Sequence, residues 1–272
     1  MSHEKASHKG ESKISAANDF LGEFHMATKK QIIIMKRMIR LTPFFLIVIL
    51  LFSCSKDEDY SLNKFWVSAA TISTDEVKPY LIVTDNGDRL FPTSSNVKYF
   101  KPIDKQRVWV SYTILKDEND EGAEFDYYVK VNDVREILTK GIVTLTDSNK
   151  DSIGNDPVEI ENVWFSGDFL TIGFVYGGGG AIHFVNLVRN VEDAYTEEQL
   201  PILEFRHNRN HDRFNNAMRG WVSFDLSELK VSNQDSVTFI LRANSFNEEE
   251  RFERQLTFKY GKSENRVGVI SF

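Results

Sequence analysis

The residues of this 272-residue chain best suited to chemistry are six histidines, a single cysteine and several runs of carboxylates. Three of the histidines, His183, His207 and His211, fall in the second half, and three imidazoles suffice to hold zinc if a fold brings them together. Read as a strand, Leu203, Phe205 and His207 share one face, so His207 points toward apolar neighbours. His211 lies beyond it in an Asn/Arg/Asp-rich loop, and the expectation is a half-buried structural histidine and no metal. Gly177-Gly178-Gly179-Gly180 invites comparison with a phosphate-binding loop. It lacks the Gly-Lys-Ser/Thr ending and the following helix, and reads instead as a mobile hairpin tip. The acidic runs Glu118-Asn119-Asp120-Glu121, Glu197-Glu198 and Glu248-Glu249-Glu250 contain carboxylate pairs of the kind a glycosidase uses. That reaction needs one carboxyl with a raised pKa in an apolar pocket, whereas neighbouring acids sit in solvent. Neither G-x-S-x-G nor H-E-x-x-H occurs. Trp109, Tyr127, Tyr128, Trp164, Tyr176 and Trp221 have rings that could stack on a sugar. Alternation sends most of them into cores and leaves Tyr176, beside the glycines, as the candidate for exposure. No catalytic set, cofactor or metal site is expected.

The cysteine, Cys54, cannot form an intrachain disulfide, a Cys-based zinc site or a CxxC pair. What surrounds it gives it another use. Met35-Lys36-Arg37-Met38-Ile39-Arg40 is a basic head, and Phe44 to Phe52 is an apolar run about half the roughly 20 residues that span a bilayer. This is the order of a cleavable secretory signal. Leu50-Leu51-Phe52-Ser53-Cys54 resembles the bacterial lipobox, with Phe52 where a smaller residue is usual. The resemblance implies a diacylglyceryl group on the Cys54 thiol, cleavage before it and a further acyl chain on the new amino group. Several chains make anchoring stable, since a single one is marginal. The following Ser55-Lys56-Asp57-Glu58-Asp59 is similar to the acidic signal that sends lipoproteins of the Bacteroidota to the outer face of the outer membrane. Met1 to His25 has no basic-then-apolar order and would bury nothing, so translation is expected to start at Met26, Met35 or Met38.

Of the 33 basic and 40 acidic residues, 8 and 4 precede Cys54, leaving 25 against 36 and a charge of about −11 on the mature part. Such a balance repels phosphate backbones and excludes nucleic acid as the main partner.

The elements that must position these residues are strands, because the pattern beyond Asp59 is of period two. In Arg107 to Leu115, the residues Val108, Val110, Tyr112 and Ile114 share a face. Leu81 to Thr84 and Arg89 to Phe91 flank Asp85-Asn86-Gly87-Asp88, whose Asn-Gly is a strong hairpin signal. A strand from Asp126 to Val131 follows, then Val134 to Lys140 as a short helix leading into Gly141 to Leu145. Four to five strands with one helix suit a small barrel. The polar stretch Asp147 to Pro157 reads as the domain boundary. Strands resume at Glu159 to Phe165, Phe169 to Val175, Ile182 to Val188, Ile202 to His207, Gly220 to Leu226, Ser236 to Ala243 and Arg254 to Tyr260. Seven short strands with regular turns read as a sandwich.

Asp104-Lys105-Gln106-Arg107-Val108-Trp109-Val110-Ser111-Tyr112 in the first half, and Phe169 to Ile172, His183 to Val188, Phe205-Arg206-His207-Asn208 and Val222 to Leu226 in the second, resemble the NigD-like lipoproteins of Bacteroidota. Where that family has Gly-Asp before Arg107-Val108, this chain has Lys105-Gln106. The resemblance implies an all-β chain, a small OB-like barrel followed by an immunoglobulin-like β-sandwich, after a cleaved lipoprotein signal peptide. The expected division is a non-native or disordered leader at 1–34, the signal at 35–53, an acidic tether at 54–60, the barrel at 61–148 and the sandwich at 149–272. The expected function is a surface-exposed outer-membrane lipoprotein, membrane-bound through its lipid. It acts as a non-catalytic module that binds an envelope protein, a glycan or a bacteriocin, the family's name being loosely associated with bacteriocin gene clusters. The alternative is a glycan-active hydrolase using carboxylates.

Overall fold

A computed structural model describes residues 61–260, apart from 76–77, 121 and 248–249. Cys54, the Ser55–Asp59 run, the signal, the leader, and Glu121, Glu248 and Glu249 of the acidic runs lie outside the described residues. Five strands close a barrel: β1 (Trp66–Asp75), β2 (Lys78–Thr84), β3 (Arg89–Ser95), β4 (Arg107–Asp117) and β5 (Tyr127–Glu136), in the order β1-β2-β3-β5-β4. Only β3 and β5 run parallel. Alternation fills the interior: Val108, Val110, Tyr112 and Ile114 of β4 meet Ala70, Ile72, Ile82, Leu90, Val129 and Val131. The Asn-Gly hairpin forms as its sequence requires, with Gly87 at φ 99° and its N–H donating to the Thr84 carbonyl at 2.9 Å.

The tight turn before β4 forms without the glycine that the resemblance leads one to expect. Lys105 takes φ 61°, and its N–H donates to the Ile72 carbonyl while Ile72 N–H donates to the Gln106 carbonyl, both at 2.9 Å. A left-handed side-chain-bearing residue costs roughly 1–2 kcal/mol, which glycine avoids at some entropic expense. Lys105→Gly is therefore expected to stabilise the chain by about 0.5–1 kcal/mol, read as a higher urea midpoint at unchanged m-value.

The short helix read at Val134–Lys140 is instead strand. β5 continues to Glu136, held by pairs such as Val110↔Val134 and Trp109↔Arg135, so ladder pairing overrides the local pattern. The strand pairing also changes unit earlier than the polar stretch at 147–157. β6 (Leu138–Lys140) and β7 (Ile142–Leu145) belong to the sandwich sheets, and the polar stretch holds only the one-turn helix α1 (Lys150–Ile153) within the second unit.

The remaining strands are β8 (Glu159–Ser166), β9 (Phe169–Gly178), β10 (Phe184–Asn190), β11 (Ile202–Asn208), β12 (Asn216–Asp225), β13 (Ser236–Ala243) and β14 (Phe252–Lys259). They form a four-stranded sheet, β6-β12-β9-β8, and a five-stranded sheet, β14-β13-β11-β10-β7. Leu170, Ile172 and Phe174 of β9 and Val222 and Phe224 of β12 face Leu187, Leu203, Phe205, Phe239, Leu241 and Phe258 of the other sheet. At the edge, Lys140 Nζ on β6 donates to the Val185 carbonyl at 2.9 Å and to Asn186 Oδ1 on β10, tying one sheet to the other.

A buried polar knot joins barrel to sandwich. Arg107, fully buried, uses each of its five N–H donors. Nη1 and Nη2 donate to the two oxygens of Asp85 at 2.5 and 2.6 Å, and also to Thr71 Oγ1 and Thr171 Oγ1, both at 3.0 Å; Nε donates to Ser223 Oγ at 3.3 Å. Trp164 Nε1 on β8 donates to the same Asp85 carboxylate at 2.6 Å, and Trp109 meets Trp221 edge to face at 5.8 Å. These three tryptophans line the seam between units and not the cores expected for them. They occupy the strand faces opposite the core residues, where each unit is covered by the other.

Candidate functional site

The sole histidine cluster of the described residues is built where β9, β10 and β11 end together. Antiparallel pairing sets Val185 opposite His207, and His183 lies two residues before Val185, so both imidazoles approach from the inward side. His183 Nδ1 and His207 Nε2 are 2.8 Å apart with near-stacked rings, and His183 Nε2 is 3.1 Å from Asp212 Oδ2. A carboxylate requires a donor at His183 Nε2. In the neutral ring His183 Nδ1 is then an acceptor, and His207 Nε2–H donates to it. The proton on His207 therefore sits on Nε2, and its buried Nδ1 makes no hydrogen bond. Burial first, and then the neighbouring His183, lower the His207 pKa to about 4, outweighing the opposite pull of Asp156.

Asp212 is held from the other side by the glycines. Its Oδ2 accepts from the backbone N–H groups of Gly179, Gly180 and Ala181 at 2.6, 3.0 and 3.1 Å, and Oδ1 accepts from Arg213 N–H at 2.8 Å. These bonds, with the Gly179 N–H foremost and His183 next, hold its pKa far below the usual carboxylate range. The tetraglycine thus does cradle an anion, as successive N–H groups can, but the anion is the chain's own. Gly177 and Gly178 are buried within β9, so the mobile tip read from the sequence is a strand end pinned by Asp212.

The structure therefore brings His183 and His207 together, which the sequence reading did not foresee, and leaves His211 exposed at φ 61°, outside the cluster. Among the described residues no set of three His, Cys, Asp or Glu is placed to hold a metal. Tyr176 is not the exposed ring expected of it. It packs 4.8 Å from His183 and 5.4 Å from His207, half-buried. The imidazole chain leads to a carboxylate that already accepts from four backbone N–H groups. Its chemistry is to fasten the 209–215 loop onto the glycine end of β9.

Of the acidic runs, Glu197, Glu198 and Glu250 are exposed, and Glu118 accepts from the Tyr128 hydroxyl at 2.6 Å. The carboxyl that burial does raise is Asp88, with Asp126 adding to the shift. Both serve the barrel's own architecture: Asp88 N–H donates to Thr84 Oγ1 at 3.0 Å in the β2–β3 hairpin, and Asp126 Oδ2, just before β5, accepts from Arg89 N–H of the neighbouring β3 at 2.7 Å. Tyr128 and Phe91 form a ring cluster with Phe125, all half-buried on the barrel wall.

Comparison with known families matches residues 69–137 to the NigD-like N-terminal OB domain and residues 141–260 to the NigD-like C-terminal beta sandwich domain. The gap between the two matches falls where the strand pairing changes unit. Among solved structures, a protein described as toxin-related from Parabacteroides distasonis is 30% identical with a TM-score of 0.60, over 74% of this chain and 96% of its own. A protein of unknown function from Bacteroides vulgatus is 25% identical with a TM-score of 0.60, over 75% and 94%. A NigD-like immunity protein from Bacteroides caccae shares the fold at 15% identity and a TM-score of 0.55, over 74% and 99%. No curated protein matches the chain. With both halves matched in order, and the barrel and sandwich folded as that order requires, the chain belongs to the NigD-like family.

Proposed function

We propose that the chain is a surface lipoprotein of the outer membrane, lipidated on Cys54 and directed outward by Ser55, Lys56, Asp57, Glu58 and Asp59, and that its barrel and sandwich together form a non-catalytic binding module. The address rests on the basic, apolar and Cys54 elements standing in order just before the first strand. The observation that carries the binding reading is the histidine cluster. The one acid–base chain with a triad-like layout among the described residues is spent on fastening a loop, its carboxylate held by four backbone N–H groups and its inner imidazole 2% exposed. A glycan hydrolase would need a carboxyl in an apolar pocket, whereas Glu197, Glu198 and Glu250 stand in solvent. The Arg107 knot joins two recognition folds into one unit, which favours presentation of a continuous surface to an envelope protein, a glycan or a bacteriocin.

Expression of Cys54→Ala in a Bacteroidota host, followed by fractionation, is expected to move essentially all of the protein out of the outer-membrane fraction. Continued recovery there contradicts lipidation. Replacing Lys56, Asp57, Glu58 and Asp59 with alanine is expected to keep the protein in the membrane while shielding it from protease added to intact cells. Equal digestion of both forms removes the outward signal. Crosslinking on intact cells, followed by purification through the lipidated chain, identifies the partner, and recovery of the chain alone counts against the binding reading.

A further inference from the structure

The outer face of the five-stranded sheet carries a cavity of about 130 Å³ that plays no part in the histidine cluster or the seam. Its floor follows from register. Glu204 on β11 stands opposite Arg242 on β13, and Arg206 lies two residues along the same face, alternating with the inward Leu203, Phe205 and His207. Both arginine side chains are 16% exposed and are oriented by carboxylates. Arg206 Nε donates to Glu204 at 2.6 Å, with Nη2 paired to the same oxygen. Arg242 Nε donates to Glu253 at 2.6 Å and Nη1 to Asp193 at 2.8 Å. Among the described residues, this leaves Nη1 of Arg206 and Nη2 of Arg242 without a partner, and Arg251, exposed at the rim, without any. Asn155, Asn190 and Asn244 complete the wall, and its apolar members, Phe205 and Ala243, are buried.

Three arginines against Glu204, Asp193 and Glu253, which holds Arg242 Nε, leave the site without net charge on a mature chain of about −11, and what it still offers is guanidinium edges. A single carboxylate matches the planar fork of a guanidinium while bringing only one negative charge. A phosphate dianion would meet uncompensated repulsion from the three acids. The volume is well below the roughly 300 Å³ at which drug-sized pockets begin, so it admits one small ring. Three amides and little exposed carbon suit hydroxyl groups better than an apolar side chain. We infer that the cavity binds a sugar monocarboxylate, a single hexuronate unit, with Arg251 and the free edges of Arg206 and Arg242 taking the carboxylate and the asparagines taking hydroxyls. The inference rests on the binding reading above and gives it a ligand class.

Calorimetric titration of the full chain in detergent, with glucuronate, glucose, acetate and inorganic phosphate, tests it. Glucuronate is expected to bind with a dissociation constant of about 1 mM, at least about tenfold tighter than each of the others. Arg251→Ala, at an exposed position, is expected to weaken glucuronate about tenfold. Asn155→Ala, which keeps the backbone carbonyl that Asn244 uses, is expected to weaken glucuronate but not acetate. Glucuronate binding no tighter than glucose, acetate or phosphate overturns the assignment, and so does indifference to Arg251→Ala. Because the titration probes one ligand class in solution, it can fail while crosslinking on intact cells still captures a partner, so the two readings fall separately.

Discussion

Asp85→Ala is expected to lower the unfolding free energy by about 3–5 kcal/mol, the usual penalty for leaving a buried charge without its partner. The carboxylate accepts from two guanidinium nitrogens and from Trp164 Nε1, so its loss strands three donors at once in a seam where Arg107 is fully buried. Against a stability typical of single domains, about 5–15 kcal/mol, that loss is a large fraction. Urea denaturation measures it. The double variant Asp85→Leu with Arg107→Met separates the charge from the shape, since an apolar replacement of a buried pair is often neutral. It is expected to recover at least half of the lost stability. Equal losses in single and double variants would show that packing, not the unpaired charge, holds the seam.

The second large effect is of pH. His207 has a folded pKa near 4 against an unfolded value of about 6.5. Between those values the unfolded chain binds the proton and the folded chain does not. The contribution is fully present above about pH 6.5 and is lost as pH falls toward 4. A shift of that size corresponds to about 3 kcal/mol. Asp212, with its depressed pKa, works in the same direction at lower pH, its contribution present above the ordinary carboxylate range and lost below it. Urea midpoints taken at intervals from pH 7.5 to 4.5 are expected to fall steadily below 6.5 in the parent chain and to flatten in His207→Gln. A parent profile as flat as the variant's would mean that His207 titrates normally.

The strands were legible because their evidence is local. Alternation in Val108, Val110, Tyr112 and Ile114, and the Asn-Gly turn, both concern residues within a few positions of one another, and Ser236–Ala243 is found at the bounds its pattern implies. What sequence did not disclose depends on register and on packing between units. Asp85 looks like an ordinary turn residue, and only the approach of the sandwich makes it a counter-ion. A sign was present in β4 itself, where Arg107 and Trp109 share the face that points out of the barrel. A tryptophan on that face argues for a covering partner. The histidine pair was hidden for a similar reason. His183 and His207 lie 24 residues apart, and only the Val185↔His207 pairing aligns them. The glycine run offered a usable hint, since free N–H groups in series call for an anion and the loop from Arg209 to Asn215 contains one aspartate.

The placement of β6 and β7 bears on how the chain reaches this structure. Directly after the barrel, consecutive short strands enter opposite sheets, β6 pairing parallel with β12 through Leu138↔Val222 and β7 pairing parallel with β10 through Leu187↔Ile142. Each pair closes a long loop before any contact rewards it, and such pairing is slow compared with neighbouring hairpins. The barrel's exit strands must therefore wait for segments far along the chain, and the Arg107 knot, which needs Ser223, waits with them. Refolding should pass through a closed barrel with an open second half, a species in which the seam tryptophans are still wet and their fluorescence lags behind the formation of β-structure.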